Sequence, residues 1–143
     1  MIASQMSKVV SAVPTAATTN TTTLVIDTLG FDVASVTVSR ASNAATAFAT
    51  VLKVEESDDN SAYSNVAGFV GGTDLTIPTV TDTASVSIVK FDIDTRVKKR
   101  YLKVSACPST SSAIAVAINA RLMRADVAPV TAAEAGCIGW VKG

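Results

Sequence analysis

The chain's 143 residues are enough for one domain with its own apolar core. Twelve basic and twelve acidic side chains cancel, which argues against the field-driven binding to nucleic acid that a strongly basic protein shows. No apolar run approaches the length of a membrane span, and residues 1–14 lack the pattern of a signal peptide. We therefore expect a protein that is made in the cytoplasm and does not associate with a membrane.

The residue types favour strands and leave little for catalysis. Val, Ala, Thr and Ser dominate, and aromatic residues make up only 5% of the chain. Such a composition fits β-sheets with small, closely packed side chains. The chain has no histidine, which removes the commonest general base and the commonest metal ligand. We expect a protein that is not an enzyme and that uses no cofactor or metal.

Residues 1–23 are predicted to form an extended N-terminal arm. Val9, Val10 and Val13 can pair as a short strand before Pro14 interrupts it. The tract that follows is rich in Ala, Thr and Asn and has little to bury. It should therefore be disordered in isolation.

The domain itself is predicted at residues 24–124, and its first half contains four strands. These strands are expected at residues 23–27, 34–40, 48–54 and 62–66. The first is a short apolar strand, and the second and third alternate between apolar and polar positions, which is typical of a strand with one buried face. The sequence ESDDN at 56–60 separates the last two and favours a turn. We expect a hairpin with an acidic, solvated tip.

The second half of the domain begins with a segment, 66–80, that Gly68, Gly71, Gly72 and Pro78 break too often for a regular element. This segment is expected to loop across one end of the sandwich.

Three further strands are predicted, at residues 84–91, 100–106 and 113–122. The first carries apolar residues on both faces, so either both faces are covered or the inward face switches at a bulge. A charged loop at 92–99 follows it. Ala115 and Ala117 share one face of the last strand, where they can lie flat against another surface.

Residues 125–143 are predicted to form a C-terminal extension. One helical turn is expected at 132–135, with Thr131 in front as a cap and Gly136 behind. Three large apolar residues then follow: Ile138, Trp140 and Val141. Leaving them in water would be costly, so we expect them to be docked.

Seven or eight short strands separated by turns, with no long helical period, predict an all-β fold. We expect a single antiparallel β-sandwich, jelly-roll-like, with extended N- and C-terminal arms. Periodicity alone does not decide between a sandwich, a barrel and a jelly roll.

The acidic tip of the hairpin carries Glu55, Glu56, Asp58 and Asp59. The favoured interpretation is a solvated hairpin end. Calcium binding is an alternative, although the tip lacks the glycine of a known calcium loop. A third interpretation is that the tip docks on a basic neighbour.

One basic cluster stands out in the sequence. It consists of Arg96, Lys98, Lys99, Arg100 and Lys103. A solvated loop is the favoured interpretation, and pairing with an acidic patch on a partner subunit is the second. Nucleic acid is the least favoured, because only Tyr101 is available for stacking and acidic residues lie just upstream.

Two further pairs of residues could carry chemistry. Asp92 and Asp94 have the spacing to share one side of an extended segment, as paired carboxylates of a glycosidase do, but nothing else supports that activity. Cys107 and Cys137 form no metal-binding motif, and we expect free thiols, with a disulfide as the alternative.

Three stretches resemble a group of small virion proteins of tailed phages. The first is the strand ending K-x-E-E-S-D-D at 53–59, with its polar tip and the aromatic residue and valine beyond it. The second is KKRYLKV at 98–104, and the third is the apolar strand 114–122 that runs into Ala128-Pro129-Val130. The resemblance covers roughly residues 24–130.

The resemblance implies a head cement, or decoration, protein with a jelly-roll or related sandwich fold. Such a protein would bind the outer surface of an icosahedral phage head and bridge neighbouring major capsid subunits. Its partners would be the major capsid protein and copies of itself, as a trimer. No small-molecule substrate, specific nucleic acid or membrane is expected.

The residues expected at the partner interface come from both arms and from the basic cluster. They are Val9, Val10, Val13, Arg96, Lys98, Lys99, Arg100, Ile138, Trp140 and Val141. The two alternative functions are another phage structural part, such as a head–tail joining or tail protein, and a carbohydrate-binding or adhesin sandwich. The scarcity of Trp and Tyr argues against the last.

Overall fold

β-Strands make up most of the regular structure in the computed structural model, which describes residues 5–17, 19–108 and 113–141. The strands are β1 (Lys8–Ser11), β2 (Thr15–Ala17), β3 (Thr22–Asp27), β4 (Phe31–Arg40), β5 (Val51–Ser57), β6 (Ser64–Val70), β7 (Ser87–Asp94), β8 (Tyr101–Cys107) and β9 (Ile114–Ala125). A short 3₁₀ helix, Thr95–Val97, lies between β7 and β8. The described residues include no helix long and apolar enough to cross a membrane.

The strands form two antiparallel sheets that pack face to face. Sheet A has the order β1-β9-β4-β7, with β2 also paired to β9, and sheet B has the order β3-β8-β5-β6. The pairing is nested. The start of the chain pairs with β9, β3 with β8, β4 with β7, and β5 with β6. A long hairpin wrapped in this way is the jelly roll, so the predicted jelly-roll-like sandwich is confirmed.

β1 and β2 together act as the first strand of this jelly roll. Residues 8–11 face residues 122–119 of β9, whereas residues 15–17 face residues 116–114. Three residues, 12–14, therefore stand opposite only two, 117 and 118, which is a β-bulge next to Pro14. The described part of the predicted arm is thus extended, but it lies along the chain's own β9. We call β1, the bulge and β2 the first strand.

The core lies between the sheets and is built by alternation. On β4 and β9 every second residue faces inward, among them Val36, Val38, Ile118 and Leu122, each almost completely buried. Their neighbours face outward and are small or polar. Phe69 of sheet B and Phe91 of sheet A meet edge to face, with ring centroids 5.9 Å apart.

The bounds of β5, β6 and β7 differ from the predictions. β5 occupies Val51–Ser57 in place of 48–54. β6 continues to Val70, into the segment expected to be irregular, and β7 occupies Ser87–Asp94 in place of 84–91. β7 pairs with β4 from Arg40–Ser87 to Val33–Asp94, and this register draws the charged end of β7 into the sheet. No face switch is present in β7, because Phe91 and Ile93 are buried while Ile88 is exposed.

The connection 71–86 closes one end of the sandwich, as predicted. Val80 is buried, and Leu75 and Ile77 pack against the core. The amide of Phe48 donates to Pro78 O at 3.1 Å, so the connection is tied to the segment before β5.

Arg40 is an unexpected member of the interior. Its side chain continues the inward face of β4 and the residue is 1% exposed. Nη1 donates to Ala47 O at 3.2 Å and Nη2 to Ala45 O at 2.7 Å. Among the described residues no carboxylate pairs with it. The guanidinium therefore fixes the loop that follows β4.

Candidate partner-binding surface

The beginning and the end of the chain lie next to each other at the edge of β9 that is not paired with β4. β1 pairs with β9 along one edge, and on its other edge the amide of Val9 donates to Ala135 O at 2.9 Å. Gly136 has a φ of 78°, and a Cβ at this position would overlap the carbonyl oxygen of Val9. Only glycine combines that backbone conformation with so close an approach. The C-terminal turn thus covers the outer edge of β1.

The turn that holds Ala135 is capped from both sides. The amide of Glu134 donates to Thr131 Oγ1 at 3.2 Å, and the Glu134 carboxylate accepts from the amides of Val130 and Thr131. These backbone bonds hold the pKa of Glu134 below its ordinary value. The amide of Ala135 donates to Thr131 O at 3.1 Å, which closes one helical turn. The turn predicted at 132–135 is present, with Gly136 behind it.

Two cavities lie beside β1 and share Arg121 of β9. The larger, about 640 Å³, is lined by Met6, Asp32, Arg121, Met123, Arg124, Ala125 and Asp126. The smaller, about 290 Å³, is lined by Ser7, Val9, Arg121, Ala135, Cys137 and Trp140. Arg121 Nε donates to Ser7 Oγ at 3.1 Å, so the guanidinium also ties the start of the chain to β9.

Exposed apolar residues surround these cavities. We call this region, with β1, the C-terminal turn and residues 138–141, the terminal surface. Val9 is 41% exposed, and Val13, Ile138 and Val141 are much more so. Ile138 and Val141 are fully exposed on this chain, so the predicted docking of these two residues would require a partner. Trp140 is partly covered in the smaller cavity.

The side chains of the three valines of the predicted interface do not all face the same way. Val9 and Val13 face outward, whereas Val10 packs against the core. Alternation along β1 requires this division, because Val10 lies opposite the inward-facing Ala120.

The basic cluster is matched by carboxylates of its own chain. Arg100 makes two bonds to Asp27, of 2.9 and 2.8 Å, and its guanidinium lies over the ring of Tyr101. Arg96 pairs with Asp94 at 2.7 Å. Lys98 donates its amide to Thr95 O at the end of the 3₁₀ helix. A partner at this site would meet charges that are already largely compensated.

The acidic hairpin tip supplies further partners to the same region. Asp58 pairs with Lys99 at 3.1 Å, and Glu56 accepts from the backbone amide of Lys99 at 3.0 Å. The tip therefore contacts basic residues of its own chain.

Glu55 lies between two lysines on the outer face of sheet B. Lys53 and Lys103 each approach its carboxylate to 3.0 Å. Burial alone raises the pKa of Glu55, but the bonds from Lys53 and Lys103 outweigh it and hold the pKa below its ordinary value. Lys103 also lies 4.2 Å from the ring centroid of Tyr63. The face is a charge-balanced surface.

Asp59 organises the turn of the hairpin. Its Oδ1 accepts from Ser57 Oγ and from the amides of Ser61 and Ala62. These bonds, that from Ser57 first, lower the pKa of Asp59 to about 2. Within residues 5–17, 19–108 and 113–141, no three side chains of the metal-binding types converge, so the tip offers no calcium cage.

Asp92 and Asp94 hold separate structural positions. Asp92 accepts from Ser35 Oγ at 2.7 Å and pairs with Lys90 at 2.8 Å. Asp94 caps the 3₁₀ helix through the amide of Arg96, and its bonds to the Arg96 side chain lower its pKa to about 2. A glycosidase needs one carboxyl group with a raised pKa as its acid, and neither aspartate has one.

The two cysteines are free thiols in this structure. Cys107 is buried, and its Sγ lies 2.8 Å from Thr19 O. Cys137 is partly exposed in the smaller cavity, with its Sγ 3.4 Å from Ala132 O. The predicted free state is therefore the one observed.

Comparison with known proteins adds no family for this chain. No protein-family model matches the sequence, and no curated protein matches it.

Proposed function

We propose that this chain is a structural virion protein, a cement protein that binds the outer surface of an icosahedral phage head. The observation that carries the proposal is the terminal surface, where both ends of the chain carry exposed apolar side chains and where Met6, Val9 and Trp140 help to line two cavities. Val13, Ile138 and Val141 would be costly to leave in water, and burial against a partner removes that cost. Jelly rolls are common among viral capsid proteins, which adds a fold-level argument by analogy.

The work of such a protein would be mechanical. Packed DNA presses outward on a head, and a protein that buries surface on two neighbouring capsid subunits resists their separation. An interface of about 800 Å² on each partner suffices for specific binding. Many copies on a closed lattice would add avidity, and a trimer at a three-fold position would match the symmetry of the lattice.

The terminal surface has the composition of such an interface. Apolar residues flank Arg121 and Trp140, and both residue types are common where binding energy is concentrated. The outer face of β9 beside it carries Ala115 and Ala117, so a flat partner surface can approach closely. The basic cluster, already paired within the chain, would lie outside this contact and influence the rate of encounter more than the affinity.

Binding to heads tests the proposal. Heads of the phage that encodes the chain are assembled without it and mixed with the purified protein, and bound copies are counted after sedimentation. We expect many copies spread over each head, and Ile138→Ser with Val141→Ser should weaken binding at least tenfold, a loss of about 1.4 kcal/mol. Val86→Ser with Ile88→Ser is the matched control, because these residues are exposed valine and isoleucine at the far edge of sheet A.

Three outcomes would contradict the cement function. The protein fails to bind heads, or it binds in a few copies confined to one vertex, which would indicate a head–tail joining or tail protein. The third is that the control variant weakens binding as much as the test variant does, because the terminal surface would then not be the contact.

A further inference from the structure

The first strand is only lightly built into the core. The cluster of buried apolar residues runs from Leu24 to Leu122, and none of the first-strand side chains that the structure describes belongs to it. Among the described side chains of the first strand, Val10 and Ala12 pack against that cluster, and both are partly exposed. What attaches the strand is chiefly its backbone pairing with β9. If the strand left, the contacts of Val10 and Ala12 would be lost, but the cluster of buried apolar residues would keep its own members.

The place that the first strand occupies is a slot with two walls. One wall is the edge of β9, which pairs with Lys8 to Ser11 and accepts the amide of Ala12 at Ile118 O, 2.9 Å away. The other wall is the C-terminal turn, where Ala135 O accepts the amide of Val9. Both walls belong to residues 114–136, whereas the strand belongs to the beginning of the chain.

The connection to the rest of the chain leaves the strand free to reach elsewhere. Thr19, Asn20 and Thr21 are exposed between β2 in sheet A and β3 in sheet B. Straightening this connection would break one contact that the structure describes, between Cys107 Sγ and Thr19 O at 2.8 Å. Pro14 also favours an extended conformation at Val13, so the strand keeps its shape when it leaves.

We propose that the first strand exchanges between two copies of this chain, so that each copy's strand fills the slot of the other. The slot fits this strand residue by residue, including the bulge at 12–14, and a second copy brings an identical strand. Exchange replaces each contact by the same contact in the partner, so its cost is small wherever copies lie close together. The inference goes beyond the head-binding function and concerns the free protein.

Disulfide trapping tests the exchange. Ser11 and Asn119 are exposed Cα partners across β1 and β9, and such partners lie about 4.5–5.5 Å apart, within the range of a disulfide. One full-length variant carries Ser11→Cys and another Asn119→Cys, each with Cys137→Ser, so that the buried Cys107 is the other thiol. The two are mixed at high concentration, incubated and oxidised. We expect loss of monomer and a covalent species of twice the monomer mass.

The matched control uses the other neighbour of Asn119. Thr37 of β4 is also its Cα partner, but β4 supplies buried core residues on both sides of Thr37 and cannot leave. Mixing Thr37→Cys with Asn119→Cys should give no covalent dimer. The proposal is overturned if the Ser11 pair gives no more covalent dimer than the Thr37 pair.

A second readout does not depend on mixing. A single chain with Ser11→Cys, Asn119→Cys and Cys137→Ser is oxidised as a monomer, which locks its strand in its own slot. Light scattering should show that this locked chain stays monomeric at concentrations where the reduced chain forms dimers. Equal association of the locked and reduced chains would contradict strand exchange.

Discussion

Arg40 shows how one residue can organise a loop from inside the sandwich. The guanidinium lies at the inward end of β4 and donates to the carbonyl groups of Ala45 and Ala47. Hydrogen bonds from a charged donor contribute about 1.5–3 kcal/mol each. These two bonds hold the loop after β4 together with the amide of Val80, which donates to Thr46 O at 2.6 Å.

Replacing Arg40 should therefore destabilise the domain. We expect Arg40→Ala to lower the free energy of unfolding by about 3 kcal/mol or more, because two carbonyl groups lose their charged donor and a cavity forms. Arg40→Lys should lose less, since one ammonium group can still reach a carbonyl. Urea unfolding measures both, and an Arg40→Ala variant within 1 kcal/mol of the parent would refute this role.

Gly136 is the residue that lets the C-terminal turn reach β1. Its φ of 78° and its approach to the Val9 carbonyl both require the absence of a side chain. Gly72 has a φ of 82° and no atom within 4 Å of a Cβ built there. A side chain at Gly72 would therefore introduce the backbone strain without a steric overlap.

Alanine at these two glycines should have different effects. Both changes should cost about 1 kcal/mol for the left-handed conformation, but only Gly136→Ala should displace the turn from β1. We expect the amide of Val9 to exchange its hydrogen faster in Gly136→Ala and at the parent rate in Gly72→Ala. Equal protection of Val9 in both variants would mean that the turn does not hold β1.

The turns of the sandwich depend on carboxylates whose pKa values are lowered by folding. Asp59 in the β5–β6 turn and Asp94 before the 3₁₀ helix each have a pKa of about 2, against an ordinary 3.8. A carboxyl group with a lower pKa in the folded state stabilises fully above its unfolded pKa, and this contribution is lost as the pH falls through the folded value.

Stability should accordingly decrease between pH 3.8 and about pH 2. Asp59→Asn and Asp94→Asn should each make this decrease shallower, because an amide does not titrate. The measurement is the free energy of unfolding across that range. An unchanged pH dependence in both variants would show that these turn contacts are absent from the folded protein.

The elements divide clearly into those that the sequence predicts and those that it does not. Alternation alone located β4 and β9, because one face of each is buried and the other is not. The turn at Thr131 to Gly136 was also predictable, since the capping residues lie within the turn itself.

Other features depend on partners far away in the chain. The ends of β7 follow its register with β4, which no local pattern reveals. The pairing of Val9 with Ala135 joins the two ends of the molecule, and neither segment signals the other. The apolar residues at 138 and 141 predict docking, but both are exposed on this chain, so their docking would require a partner.

β1 should be dispensable for folding of the domain. Deletion of residues 1–14 removes β1 but none of the buried apolar cluster, which begins at Leu24. We expect the shortened chain to fold cooperatively, with a free energy of unfolding lower by about 1–2 kcal/mol for Val10 and the lost pairing, and to assemble poorly on heads. A shortened chain without a cooperative unfolding transition would show that β1 is part of the core.

At the scale of the whole molecule, the nested pairing of the jelly roll explains why both chain ends lie together. The first strand and β9 are partners, so the segments before and after them emerge on the same side of sheet A. Apolar residues that are separated by more than a hundred positions thus form one terminal surface beside Arg121. On a phage head this surface would lie against the capsid.

The stability of phage heads tests the cement function most directly. Heads packed with DNA are prepared with the chain, without it, and with purified chain added back, and the temperature of DNA release is measured for each. We expect release at a lower temperature from heads that lack the chain, and recovery when it is added back. Equal release temperatures in all three preparations would contradict the account.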